Sequence, residues 1–143
     1  IVALVVVFAV ATNFETYRGF YYYQMMIKGY NYLFHQTVAY MSKINESGAI
    51  VNSQNPYLDS QYLNFVSGYE YNFTPVMGIC KGSDAGALII NVFTNFDYNI
   101  EQNTLANWLG SNCTATRLIS YNFSFGEGLS EAATIYQIRN ASS

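Results

Sequence analysis

Residues 1–44 read IVALVVVFAVATNFETYRGFYYYQMMIKGYNYLFHQTVAYMSKI, and how they fold decides the architecture. Residues 1–11 carry no polar side chain, and then Glu15 and Arg18 arrive abruptly. The stretch has no Pro, only Gly19 and Gly29, and no Asn-Gly or Asp-Gly turn pair. That pattern predicts one helix ended by Asn45 to Gly48, roughly 65 Å long at 1.5 Å per residue. Between Phe14 and Ile44 the polar residues Gln24, Lys28, Asn31, His35, Thr37 and Lys43 drift around the axis and leave no wide polar face. A helix apolar almost all round is buried on all sides. The roughly 95 residues that remain are too few to wrap it, by the area a domain of that size offers. Other copies of the chain are therefore expected to cover it.

Two rival readings of the front follow from the same residues. "FYYYQMMI", then Lys28-Gly29, then "YNYLFHQTVAYM" makes a hairpin pattern, with the β-branched residues 1–11 as a strand lent to a neighbour. The helix is preferred, because Lys-Gly is a weak hairpin signal beside Asn-Gly. Residues 1–11 also have the length of a signal-peptide core, and Ala9-Val10-Ala11 has the form of a cleavage site; the segment is expected to stay on the working protein. As a permanent anchor it is poor. Eleven apolar residues contribute about −3 to −5 kcal/mol, which Glu15 or Arg18 near mid-membrane offsets at about +2.5 to +3.5 each. A segment held in a membrane only transiently and then packed into protein fits better, and Glu15 and Arg18 at i and i+3 are spaced to pair.

The second half is punctuated by "NESGA", "NSQNP", "CKGSDAG", "LGSN" and "FGEG". Between these, two-residue alternation marks half-buried strands. In "GYEYNFTPV" Tyr69, Tyr71 and Phe73 oppose Glu70, Asn72 and Thr74. In "ISYNFSF" Ile119, Tyr121, Phe123 and Phe125 oppose Ser120, Asn122 and Ser124. In "ALIINVFTNFDYNIE" Leu88, Ile90, Val92, Phe96, Tyr98 and Ile100 oppose Asn91, Asn95, Asp97, Asn99 and Glu101. "EAATIYQIR" is expected to close the sheet system, and "NTLANWLG" to be a helical turn capped by Asn103 and stopped by Gly110. The expected fold is α+β: an apolar helix over 1–44, then a small antiparallel β-sandwich over 45–143.

Charged residues are 10% of the chain, against roughly 25% in ordinary soluble proteins. A net charge of −3 with scattered Lys and Arg leaves no basic footprint for nucleic acid. Five Asn-x-Ser/Thr sequons, at Asn45, Asn72, Asn112, Asn122 and Asn140, point to N-linked glycans, and none falls in the apolar front. Cys80 and Cys113 are the only cysteines, and a disulfide between them fits an oxidising, extracellular setting.

No catalytic constellation emerges. His35 is the sole histidine and sits in the apolar front, where packing or a partner is its expected role. "GSDAG" at 82–86 lacks the Gly-Lys-Ser/Thr of a phosphate loop. Asn95, Asp97, Asn99 and Glu101 alternate like calcium ligands but lack the bending Gly, so a solvated strand face is expected. Trp108 and the tyrosines are candidates for stacking on sugars or for a protein interface. No enzyme, cofactor or metal site is expected.

An apolar N-terminus, a long Pro-free helix and a glycosylated β domain together resemble the type IV pilin family, most closely the archaeal adhesive pilins. In that family a dedicated peptidase cuts before the apolar run, and the helices bundle in the filament core with the β domains outside. Bacterial members usually carry Glu at the fifth mature position; Val5 stands there, as is common in archaeal members, and the apolar run is shorter than the family norm. The resemblance implies an extracellular, cell-surface filament for adhesion or surface motility, a homopolymer joined through Ile1, Val2, Leu4, Val5, Phe8, Phe14, Tyr17, Tyr21 and Met25. The strand reading resembles archaeal thread-type filaments, whose subunits insert an N-terminal strand into the next subunit. Outside filaments, a membrane-anchored or viral surface glycoprotein and a monomeric carbohydrate-binding adhesin are the competing classes.

Overall fold

The computed structural model describes the backbone of residues 2–94, 105–126 and 129–141, and their side chains except at 2–12, 15, 22, 94, 125, 126 and 129. Residues 2–44 are one helix, α1 (Val2–Ile44), and not a strand or hairpin. Its end follows the sequence signal. Asn45 takes a positive φ of 57°, and the Asn45 and Glu46 N–H groups donate back to Ser42 and Met41 carbonyls. Asn tolerates that left-handed conformation, and Lys43 in the last turn faces the carbonyl end of the helix dipole.

Five strands follow: β1 (Gly48–Asn52), β2 (Asn72–Pro75), β3 (Leu88–Thr94), β4 (Cys113–Gly126) and β5 (Leu129–Asn140). They form one sheet in the order β2-β1-β3-β5-β4. The α+β class holds, but the expected antiparallel sandwich does not. β1 pairs parallel to both β2 and β3, whereas β3, β5 and β4 are antiparallel. The cause lies in residues 56–66, which form a second helix, α2 (Pro56–Val66), where no element was expected. Pro56 at its first turn fits there because that N–H has no intrahelical partner. A parallel pair needs such a crossover, and α2 supplies it between β1 and β2. Asn64 of α2 then satisfies the edge strand, with its side chain bonded to both the N–H and the carbonyl of Phe73 at 2.9 Å.

Both faces of the sheet are covered. On one, Leu33, Phe34 and Met41 of α1 and Leu63 of α2 pack on Val51, Leu88, Ile90, Val92, Ala133 and Ile135. Among the described residues, the buried positions of α1 begin at Gly29 and recur at helical spacing, and the buried Thr37 hydroxyl donates to the Leu33 carbonyl at 2.9 Å. On the other face Ile89 and Ile138 pack on Leu105, Trp108 and the Cys80–Cys113 disulfide, which spans a sequence separation of 33.

Burial on both sides is why alternation misleads for β3. Asn91, expected on the outward face, is fully buried and accepts a bond from Asn52. Tyr69, expected to point inward with Tyr71 and Phe73, instead has φ 63° and is exposed, while Phe73 is buried between exposed Asn72 and Thr74 as expected. β5 does not close the sheet at its edge; it lies inside, between β3 and β4. Residues 105–109 are helical and Gly110 ends them at φ 56°. The Asn103 cap and residues 95–101 lie outside the described residues.

Candidate functional site

The sheet has two distinct ends. At one, α1 finishes, Gly48 pairs with Asn72, and Cys113 pairs with Asn140. At the other, Thr94 pairs with Glu131, and Gly29 of α1 rests on Glu131 and Phe123. Running back from Gly29, α1 leaves the sheet at this second end.

The described side chains from Asn13 to Lys28 are exposed, with Met25 half-buried. Phe14 is 63% exposed, Tyr17 70%, Phe20 61% and Tyr23 60%. At about 100° per residue these four fall within about half of the circumference, a broader band than a single stripe, with exposed Gln24 and Lys28 inside the same band. A Cβ built at Gly19 meets nothing within 4 Å. Of the expected assembly residues, Phe14, Tyr17 and Tyr21 are exposed and Met25 is half-buried. Val2, Leu4, Val5 and Phe8 are on the helix backbone with side chains outside the described residues, as is Ile1 altogether.

Where α1 first meets the rest of the protein, a groove of about 530 Å³ opens between it and α2. Tyr23, Ile27, Tyr30, Phe34, Leu58 and Tyr62 form its apolar lining, with Asn31 and Asp59 at its polar positions. Tyr62 donates its hydroxyl to Asn31 Oδ1. Burial raises the Asp59 carboxyl above its usual range, and the nearby Ser53 side chain opposes that rise. The outward side of α2 is also apolar: Leu58 and Phe65 are exposed beside Tyr62.

Beneath α1 sits Glu131, 1% exposed, with no hydrogen-bond partner on either carboxylate oxygen. Burial, and then the negative charge of Asp59, push its carboxyl up to about 7. Gly29 makes the fit possible, since a Cβ there would stand 2.3 Å from Glu131 Oε2 and 2.9 Å from Phe123. Neither Glu131 nor the α2 surface was anticipated. The available signal was one acidic residue opening the otherwise uncharged run "EAATIYQI".

The sequon asparagines Asn45, Asn72 and Asn112 are exposed and Asn140 is half-buried, and all four lie at the end of the sheet where α1 finishes. Asn112 Nδ2 donates to the Cys80 carbonyl at 3.3 Å. Asn122 is exposed partway along β4, opposite Ala132. Trp108 is buried beside the disulfide, so it offers no platform for a sugar. His35 is exposed on α1. Among the described residues no group of three His, Cys, Asp or Glu stands together, and no helix is long and apolar enough to cross a membrane. Comparison of the chain with protein-family models, curated proteins and solved structures gives no match.

Proposed function

We propose that this protein is the structural subunit of an extracellular filament resembling a type IV pilus, assembled by packing the N-terminal half of α1 among copies of itself. Adhesion or surface motility is the role such a filament serves. The observation that carries this reading is the exposed aromatic stretch of α1 marked by Phe14, Tyr17, Phe20 and Tyr23. A large aromatic side chain offers about 150–250 Å², so these four leave roughly 500 Å² open, comparable to the largest apolar patch of a typical monomer, which is often functional. Covering it contributes at most about 12 kcal/mol, inside the ~4–15 kcal/mol that association costs.

Four of the five sequons lie at the end of the sheet where α1 finishes, opposite the end where the exposed part of α1 leaves the sheet, so glycans there leave that part of the helix clear. A helix over residues 2–44 also favours this arrangement over strand donation. The test is deletion of residues 1–11. The truncated chain is expected to keep its fold, because the described core side chains of α1 lie from Gly29 onward, and to lose polymerisation by light scattering and electron microscopy. A truncated chain that still forms filaments refutes the proposal. Detergent-dependent solubility without filaments points instead to a membrane glycoprotein.

A further inference from the structure

We infer that Glu131 is a proton-operated latch on α1: protonated, it lets the helix stay seated at Gly29; ionised, it makes the helix lift there more often while the strands stay paired. The latch belongs to the single chain and does not depend on the filament reading. Three observations carry it.

The first is what surrounds the carboxylate. Glu131 is 1% exposed, and neither oxygen has a hydrogen-bond partner. On the α1 side it meets Gly29, where a Cβ would stand 3.4 Å from the carboxyl carbon. In the sheet its neighbours are Phe123 of β4 and Thr94 of β3. The titratable and charged groups nearest on these elements are Lys28, Tyr30 and Tyr32 of α1, Asp59 of α2 and Tyr121 of β4. None of them bonds to Glu131, Lys28 is exposed, and Asp59 brings more negative charge. An unpaired charge in such a place is relieved only by water or by a proton.

The second observation is which side gives way. β5 lies between β3 and β4 and pairs with both at Glu131, so moving the strand disturbs two ladders. α1 rests on this part of the sheet through side chains, Tyr32 against Phe123 among them, with ring centroids 5.8 Å apart. Gly29 is also the weakest helix former of its turn, which makes it the pliant point of the contact.

The third is the path to water. Glu131 is the third residue of β5, at the end of the sheet where α1 departs, and the described side chains on the departing side are exposed apart from half-buried Met25. A small lift at Gly29 admits water there, while Phe34 and Met41 hold the helix further along. The lifted state ionises at an ordinary carboxylate pH of 4.5 and the seated state at about 7, so lifting becomes more frequent as pH rises through that window and levels off above it. The exposed part of α1 is thus carried on a joint whose looseness follows pH.

The experiment is hydrogen–deuterium exchange of the full-length chain at about pH 5 and about pH 8, corrected for the pH dependence of intrinsic exchange and read by mass spectrometry. Amides 29–33 of α1 are expected to lose protection at least tenfold at the higher pH, while amides 132–138 of β5 keep theirs. In Glu131→Gln, which keeps the shape without the charge, amides 29–33 are expected to show the same corrected protection at both pH values. Equal loss in the two segments overturns the inference, because it reports unfolding of the whole molecule. No change in the wild type, or a change that persists in Glu131→Gln, also overturns it. Where circular dichroism shows that Glu131→Gln does not fold, the wild-type comparison of the two segments decides alone.

Discussion

Glu131 makes the stability of this protein depend on pH in a direction opposite to that of a salt-bridged carboxylate. Its carboxyl moves from an ordinary 4.5 to about 7 in the folded state, mainly through burial beneath α1 and secondarily through Asp59. Below pH 4.5 it is protonated in both folded and unfolded chains, and the cost vanishes. Between 4.5 and 7 the folded state holds the proton more tightly, so stability falls as pH rises; above 7 the full cost applies. Each pH unit between the two values is worth about 1.36 kcal/mol, which sets the loss from pH 4.5 to pH 8 at roughly 3 kcal/mol. Asp59, also raised by burial, acts in the same direction. Glu131→Gln keeps the shape without the charge, at a cost of about 1–3 kcal/mol for a buried amide without partners. That cost is the same at both pH values, so the difference of differences isolates the ionisation. Urea unfolding followed by fluorescence of Trp108, the single buried tryptophan, measures it. The wild type loses about 3 kcal/mol more than Glu131→Gln between pH 4.5 and pH 8. A double difference below about 1 kcal/mol refutes the reasoning, and with it the buried, unpartnered state of this carboxylate.

Two further outcomes follow from the same packing. Gly29→Ala improves helix propensity by about 1 kcal/mol, yet its Cβ meets Glu131 Oε2 at 2.3 Å and Phe123 at 2.9 Å. Overpacking at such a site costs about 1–3 kcal/mol, so net destabilisation is expected in thermal melts, and a raised melting temperature contradicts the seating of α1 on β5. Replacing Cys80 and Cys113 together by Ser opens a closed loop of separation 33, and a loss of about 3–4 kcal/mol is expected in urea unfolding. A change below about 1 kcal/mol refutes a stabilising role for the bridge.

Much of the architecture is carried by local signals. The absence of Pro and of turn pairs before Asn45 is enough for one helix, and Asn45 ends it with the left-handed φ that its side chain tolerates. Alternation places Phe73 inward and Asn72 and Thr74 outward, and does the same for Tyr121 and Phe123 against Asn122 and Ser124. Alternation holds where one face of a strand meets solvent. It fails at β3 and β5, buried on both faces, and there Asn91 and Glu131 are polar residues inside. The candidate site divides in the same way. The exposed aromatics of α1 were legible because a helix with no polar face has no shelter in a small domain. The groove was not, because it exists only once α2 lies beside α1.

By itself, the order of residues determined that the front is a helix with no wide polar face, and that much of the back is strands. Only the tertiary structure decided that the strands form one mixed sheet, since parallel pairing depends on the crossover through α2. It also decided that α1 is divided in use, with the helix from Gly29 onward closing the core and the described side chains from Asn13 to Lys28 left largely in the open. Local periodicity records which positions avoid water. Which neighbour keeps the water out is a property of the assembled fold.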